Sequence, residues 1–412
     1  MLTDIDSHNE TGGGAKHEIL KFLNNSTNTM PHLYLQLQTQ LRQWIKPKDQ
    51  RHLQGFSEAV AAILQSRSAC LSHWLPYLSH RNCKARSQME RLNYFVHNPH
   101  IISETFYNPL LKHFLQVFAG ESLELALDTS VLWDEYCLIE VCLIWGGRSI
   151  SLAQVVLKHG SATVGFEHYR PVLEQALTVL PAQSNITLLA DRGFEHGELI
   201  RWLQHNQWSY AIRAKTDLQV TLSRGKTKSV EQLIPPLEQA YLIPNVTVLG
   251  NINCHLATAN LSIANGLWAV LTNIPPSLQT FALYGRRFGG IEPHFKDYKS
   301  GAFEIVNSHL RNPQALTCLF MLLDTASLIA LIIGMMLVRL GQRAWIDWHH
   351  DRGLSFLQLG LRELQRLLYQ GRLFPQLEIL PKINPPPACA SQSKREKLDC
   401  RIEFSRVSTL SF

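Results

Sequence analysis

From residue 30 to about 120 apolar residues recur three and four positions apart. HLYLQLQTQLRQWI, GFSEAVAAILQSRSACLSHWLPYL and KARSQMERLNYFV each carry that repeat, which predicts amphipathic helices. Pro47, Pro76, Pro99 and Pro109 punctuate them. The pattern then changes. LELALDTS, YCLIEVCLIWGG and RSISLAQVVL are short apolar runs that read as three strands, with Gly146 and Gly147 as the hairpin turn between the last two. Residues 166–180 return to a helical period. NITLLADRGF holds a fourth strand, residues 195–207 a helix, and WSYAIRAK a fifth strand. Between residues 215 and 276, DLQVTLS, NVTVLG, CHLATANLSI and LWAVLTNI read as further strands around a polar turn, Arg224-Gly225-Lys226. Residues 315–338 are apolar almost throughout, and LSFLQLGLRELQRLL is strongly amphipathic. The first 29 residues and the stretch from Lys382 onward have no such periodicity and read as disordered or flexible.

Composition narrows the class. A chain of 412 residues can hold two or three domains and bury a large core. The net charge is +6, compatible with nucleic acid without requiring it. Residues 42–118 carry ten basic against four acidic side chains, an excess equal to that of the whole chain. The eight cysteines form no CxxC pair, so neither a zinc ribbon nor a redox motif is indicated. The expectation is reduced thiols and a cytoplasmic protein. No stretch near the start has the form of a signal peptide. The apolar run 315–338 is long enough to cross a bilayer, but Asp324 interrupts it, and a buried helix of a soluble core is the expected reading. The 18 histidines include no HExxH pair, which argues against a zinc hydrolase.

Three places carry candidate chemistry. LELALDTS ends its apolar run on Asp128, and NITLLADRGF ends its own on Asp191. A strand buried on both faces has no use for a carboxylate at its end unless that group is solvated, paired or bound to a metal. One such aspartate is more often a cap or a turn residue; two, followed by a glutamate helix, form a pattern. The third place is YGRRFGGIEPHFKDYK, residues 284–299, where aromatic, basic and acidic side chains are densest. Glu292 and Lys299 lie seven positions apart, about two helical turns, and so share a helix face. A carboxylate and an ammonium on one face suit a site for a cation and a phosphate together. The plainer reading of the stretch alone is a solvated amphipathic helix.

In this order the motifs resemble those of DDE transposases. Asp128, Asp191 and Glu292 are similar to the three carboxylates of that RNase H-like core. Tyr284, Arg287, Glu292 and Lys299 resemble the Y-R-E-K signature of the insertion-sequence four family. The resemblance spans roughly residues 122–334. It implies an α/β fold: an RNase H-like mixed-sheet catalytic core with a β-rich insertion and an N-terminal all-helical domain. The divisions expected are a disordered start (1–29), a helical DNA-binding domain (30–120), the first part of the core (121–215), the β-rich insertion (216–278), the second part of the core (279–374) and a flexible tail (375–412). Three strands, a helix, a strand, a helix and a strand would bring Asp128 and Asp191 together across 63 residues of sequence.

The resemblance further implies cleavage and strand transfer of DNA. Attack at a charged phosphate is helped by two hard cations, which take oxygen ligands. Two Mg2+ ions, replaceable by Mn2+, are therefore the expected cofactors. Asp128 would bridge them, and Asp191 and Glu292 would each hold one. Arg287 and Lys299 would grip flanking phosphates, and Tyr284 would stack on a base or bond a phosphate. Arg192 could contact DNA or pair with a carboxylate. Trp268 reads as a core residue, with wedging at a DNA end as its rival role. In the helical domain, Arg81, Lys84 and Arg86 are the candidate phosphate contacts. The expected partners are double-stranded DNA, as terminal inverted repeats and target, and a second copy of the chain or more. No membrane is expected, and on DNA the protein would be nucleoid-associated.

One feature departs from the signature. Four residues, Phe288, Gly289, Gly290 and Ile291, separate the arginine from the glutamate where the family has three. One extra residue turns a continuous helix by about 100°. Glu292 also precedes Pro293, and a residue before proline avoids the α conformation. The sequence therefore predicts a break at Gly289-Gly290 and a helix that starts near Glu292. The alternatives are a catalytically inactive, transposase-derived DNA-binding protein, in which Asp297 is the one nearby carboxylate that could substitute, and an RNase H-like nuclease without strand transfer.

Overall fold

A computed structural model describes residues 33–79, 83–262, 266–349, 353–378 and 404–410. The described strands form one sheet. They are β1 (Ser122–Leu132), β2 (Tyr136–Trp145), β3 (Arg148–Leu157), β4 (Asn185–Ala190), β5 (Ser209–Arg213), β6 (Gln219–Thr221), β7 (Thr227–Ser229), β8 (Gln239–Val248), β9 (Ile252–Leu261), β10 (Gly266–Thr272) and β11 (Arg406–Thr409). Their order is β3-β2-β1-β4-β5-β10-β9-β8-β6-β7, with β11 beside β8. β1, β2 and β3 are antiparallel neighbours, β4 runs parallel to β1, and β5 parallel to β4. That is the mixed RNase H-like core expected from the sequence. The strands of residues 219–272 are not set apart from it. β10 pairs antiparallel with β5, so they prolong the same sheet.

The helices pack on that sheet. The N-terminal part contributes α1 (Leu33–Leu41), α2 (Gln50–Ser66), α3 (Leu71–Trp74), α4 (Ala85–Val96), α5 (Ser103–Phe106) and α6 (Asn108–Phe114). α7 (Phe166–Val179) and α8 (Gly197–His205) connect β3 to β4 and β4 to β5. After β10 come α9 (Leu278–Lys296), α10 (Pro313–Arg339) and α11 (Phe356–Tyr369). Asp49 caps α2 by accepting a hydrogen bond from the Arg51 N–H, and residues 56–64 of that helix are buried.

α10 is the bilayer-length segment, and the protein buries it. In its most apolar window 89% is covered by the rest of the fold. It packs on β3, α2 and α11. Where α10 and α11 cross, a Cβ on Gly334 would sit 1.9 Å from the Phe356 carbonyl oxygen. One on Gly360 would sit 1.7 Å from that of Ala330. The two glycines let the backbones touch. Asp324, the one acid in the run, is buried and accepts a hydrogen bond from the Tyr298 hydroxyl.

Two details differ from the sequence reading. β8 starts at Gln239, several residues before NVTVLG, with its register shifted between Ile243 and Val246. A bulged strand blurs the alternation that marks strands. The tail expected to be flexible also contributes β11, which runs parallel to the first half of β8.

Candidate active site

The register of the sheet sets the two aspartates side by side. Leu127 of β1 is the parallel partner of Ala190 of β4, and the next residues along the chain are Asp128, inside β1 rather than at its end, and Asp191, just past the end of β4. Asp128 takes the Thr129 N–H on Oδ1 at 2.9 Å. Asp191 takes the Arg192 N–H on Oδ1 at 2.7 Å and so caps the turn that follows β4.

Glu292 reaches the same place from α9, and here the sequence reading needs correction. There is no break at Gly289-Gly290, and the helix does not begin at Glu292. α9 starts at Leu278, capped by Ser277, and runs through Gly289, Gly290 and Pro293 to Lys296. Its buried stripe, Phe281, Tyr284, Arg287, Ile291 and His294, keeps helical spacing throughout. The reason for Gly290 is contact. A Cβ there would lie 2.9 Å from Ile144 and 3.1 Å from the Ser149 hydroxyl, so the missing side chain lets the helix settle on β2 and β3. Glu292 lies beside the stripe with its side chain 54% exposed.

Arg287 joins the acids. Its guanidinium is buried, 2.6 Å from Asp128 Oδ2 and 3.9 Å from Glu292 Oε1. Burial pushes the Asp128 carboxyl up to about 6 from the usual 3.8, and the Arg287 charge and the Thr129 N–H oppose that rise. The Asp191 and Glu292 charges add to the rise through space. Beside them opens a groove of about 550 Å³, lined among others by Thr129, Glu292, Phe295, Lys296 and Lys299. Lys299 is exposed there, on the π-turn Asp297–Gly301 that ends the helix. Glu292 and Lys299 both line this groove, although the α-helix stops between them.

Other expected DNA contacts lie elsewhere. Tyr284 is 1% exposed, packed edge-on against Trp268 and Phe288, so it stacks inside the protein and offers no face to a base. Arg287 is 4% exposed and holds carboxylates, which leaves it no free fork for a phosphate. Both residues lie on the inward stripe of α9. Trp268 is half-buried against the same cluster. Arg192 is exposed beside Asp191. Lys84 and Arg86 are exposed at the start of α4, with Arg86 3.0 Å from Glu90. Arg81 lies outside the described residues. Asp297 is buried and paired with Arg148 at 2.7 Å, so it does not stand in for Glu292.

The sequence reading missed a second polar group under α9. Glu140, His294, Tyr298 and Asp324 are all buried and hydrogen-bonded to one another. The signal was available: Glu140 interrupts YCLIEVCLIW as Asp324 interrupts α10, and an acid in an apolar run needs a partner.

One family comparison bears on this part of the chain. Residues 141–330 match the family described as the transposase DDE domain. The match includes Asp191 and Glu292 and begins after Asp128. It supports a DDE-type transposase. No curated protein matches the chain. Among solved structures the chain is similar to a piggyBac transposase seen by cryo-electron microscopy in a synaptic complex with hairpin DNA. The identity is 10% and the TM-score 0.42, over 86% of this chain and 81% of that one.

Proposed function

We propose that the protein is a transposase of the insertion-sequence four type that binds the ends of its element as DNA duplexes, cuts them and joins them to a target. The observation that carries this reading is the grouping of Asp128, Asp191 and Glu292 over the adjacent interior strands β1 and β4 of an RNase H-like sheet, beside an exposed groove. The donor set is all oxygen, which suits hard divalent cations. Asp128, Asp191 and Glu292 are the residues that would hold two Mg2+ ions. Bound there, such ions supply positive charge at the scissile phosphate and make water a better nucleophile. Arg287 holds Asp128 and Glu292 in place from the buried side. Lys299 and Lys296 offer charge to phosphates along the groove, and Lys84, Arg86 and Arg192 do so outside it. Pairing two ends calls for at least two copies of the chain, acting on DNA in the cytoplasm.

The test is cleavage of candidate end duplexes with Mg2+, comparing wild type with Asp128→Ala, Asp191→Ala and Glu292→Ala. Loss of an ion ligand should lower the rate by about 100-fold or more, since each removes charge stabilisation worth several kcal/mol. End binding should stay near wild type. Equal cutting by Glu292→Ala would remove the third ligand. A wild type that binds ends and never cuts would make the protein a DNA binder with a lost site. Cutting without joining would make it a nuclease.

A further inference from the structure

The contacts between α9 and the sheet continue past Arg287. Glu140 on β2 is the cross-strand partner of Asp128 on β1, so the two acids stand next to each other on one face. Each receives a side chain from α9. Arg287 reaches Asp128, and His294 Nε2 lies 3.0 Å from Glu140 Oε1. The Tyr298 hydroxyl lies 3.2 Å from the same oxygen and also contacts Asp324 of α10, sharing its one proton between the two acids. Glu292 therefore sits between two buried polar clamps, five residues after one and two before the other.

The backbone between the clamps is weak. Residues 289–293 include Gly289, Gly290 and Pro293, the poorest helix formers. Pro293 has no N–H to donate to the Gly289 carbonyl four residues back. Local propensity therefore does not fix Glu292, and the flanking contacts must. Resting on the catalytic reading above, we propose that His294 and its buried partner Glu140 are positioning residues for Glu292. They hold the second half of α9 against β2, so that the glutamate faces the aspartates despite the extra residue before it. Among the described residues Glu140, Cys142 and His294 also have ligand atoms within 4.8 Å of one another. Glu140 Oε1 already takes contacts from both His294 and Tyr298, which favours an anchor over a metal centre.

The experiment compares wild type with His294→Ala, His294→Gln, Pro293→Ala, the double variant Pro293→Ala/His294→Ala, and Glu292→Gln. Deuterium exchange across residues 288–296, without DNA or metal, should be about 10-fold faster in His294→Ala, as expected for a local opening. Mn2+ binding should weaken by about 10-fold. Cleavage kcat should fall by about 100-fold with end-DNA affinity unchanged, the cost of a catalytic group displaced by about 1 Å. Pro293→Ala restores the missing backbone bond and should recover part of all three losses. His294→Gln keeps a donor and should lose less. Unchanged exchange in His294→Ala, no rescue by Pro293→Ala, or stoichiometric zinc in the purified protein that His294→Ala loses, would each overturn the proposal. If Glu292→Gln cuts like wild type, or wild type does not cut, the catalytic reading fails, and the exchange data still decide the anchoring of α9.

Discussion

At Asp128 burial and neighbouring acids disfavour the charge, while Arg287 and the Thr129 N–H favour it. Arg287 is the side chain among those that favour the charge. Arg287→Gln would leave Asp128 buried among acids without its cation, and breaking a buried ion pair typically costs about 3–5 kcal/mol. Urea denaturation in EDTA at pH 8 should show a loss near the lower end of that range, because Asp128 can take up a proton. A loss under about 1 kcal/mol would mean the pair is dispensable. Glu195, at the end of the turn that Asp191 caps, offers a pH test. Burial pushes its carboxyl up to about 7 from the usual 4.5, and the Lys215 N–H that it accepts only partly offsets this. With the folded value raised, the folded state binds the proton more tightly. The stability this gives is full below about 4.5 and lost as pH rises through about 7. Glu195→Gln should therefore match wild type near pH 4.5 and exceed it at pH 8. Parallel melting curves for the two proteins from pH 4.5 to 8 would show the shift absent.

α9 is where sequence and structure part. Its inward positions, Tyr284, Arg287, Ile291 and His294, keep helical spacing, and that spacing, though not which way it faces, could be read from the chain. Their density of charge suggested a surface, and the Gly-Gly-x-x-Pro pattern suggested a break. Both inferences assumed that local preference decides. In the protein the packing of the stripe outweighs it, as tertiary contacts often do over propensity. The strands were more legible because burial on both faces leaves little latitude in composition: β2 is buried along most of its length. The same logic exposed Asp128 and Asp191 as acids at the ends of apolar runs. Nothing local revealed that Arg287 faces inward, since that depends on which strand lies beneath it. The adjacent glycines separate the two explanations. Gly290→Ala puts a methyl 2.9 Å from Ile144 and should cost about 1–3 kcal/mol through overpacking. Gly289→Ala meets nothing within 4 Å and should gain up to about 1 kcal/mol of helix propensity. If the pair marked a break, both would destabilise alike in thermal melts.

For the molecule as a whole, the groove beside the acids and the exposed start of α4 are distinct features, and they should fail differently. The strand order was legible; the continuity of β10 with β5 was not, because pairing between distant strands leaves no trace in either strand's pattern. Charge was legible only in bulk: ten bases against four acids over residues 42–118 locate a basic region without showing which cations are free. The structure leaves Lys84 exposed at the start of α4 and shares Arg86 with Glu90 at 3.0 Å. If both touch phosphates, Lys84→Ala should weaken binding to any duplex and lower the slope of log affinity against log salt by about 1, whatever the sequence of the duplex. Arg86→Ala should do less, because the arginine must first give up part of its hold on Glu90. Lys299→Ala should show the opposite split. It lines the groove with Glu292, so it should reduce cleavage of bound ends more than it reduces affinity. Salt titrations of end binding, run with single-turnover cleavage on the same three variants, separate the two surfaces. A Lys84→Ala protein with unchanged salt slope would take α4 off the DNA path, and a Lys299→Ala protein that loses only affinity would place the groove's lysine in binding rather than in the reaction.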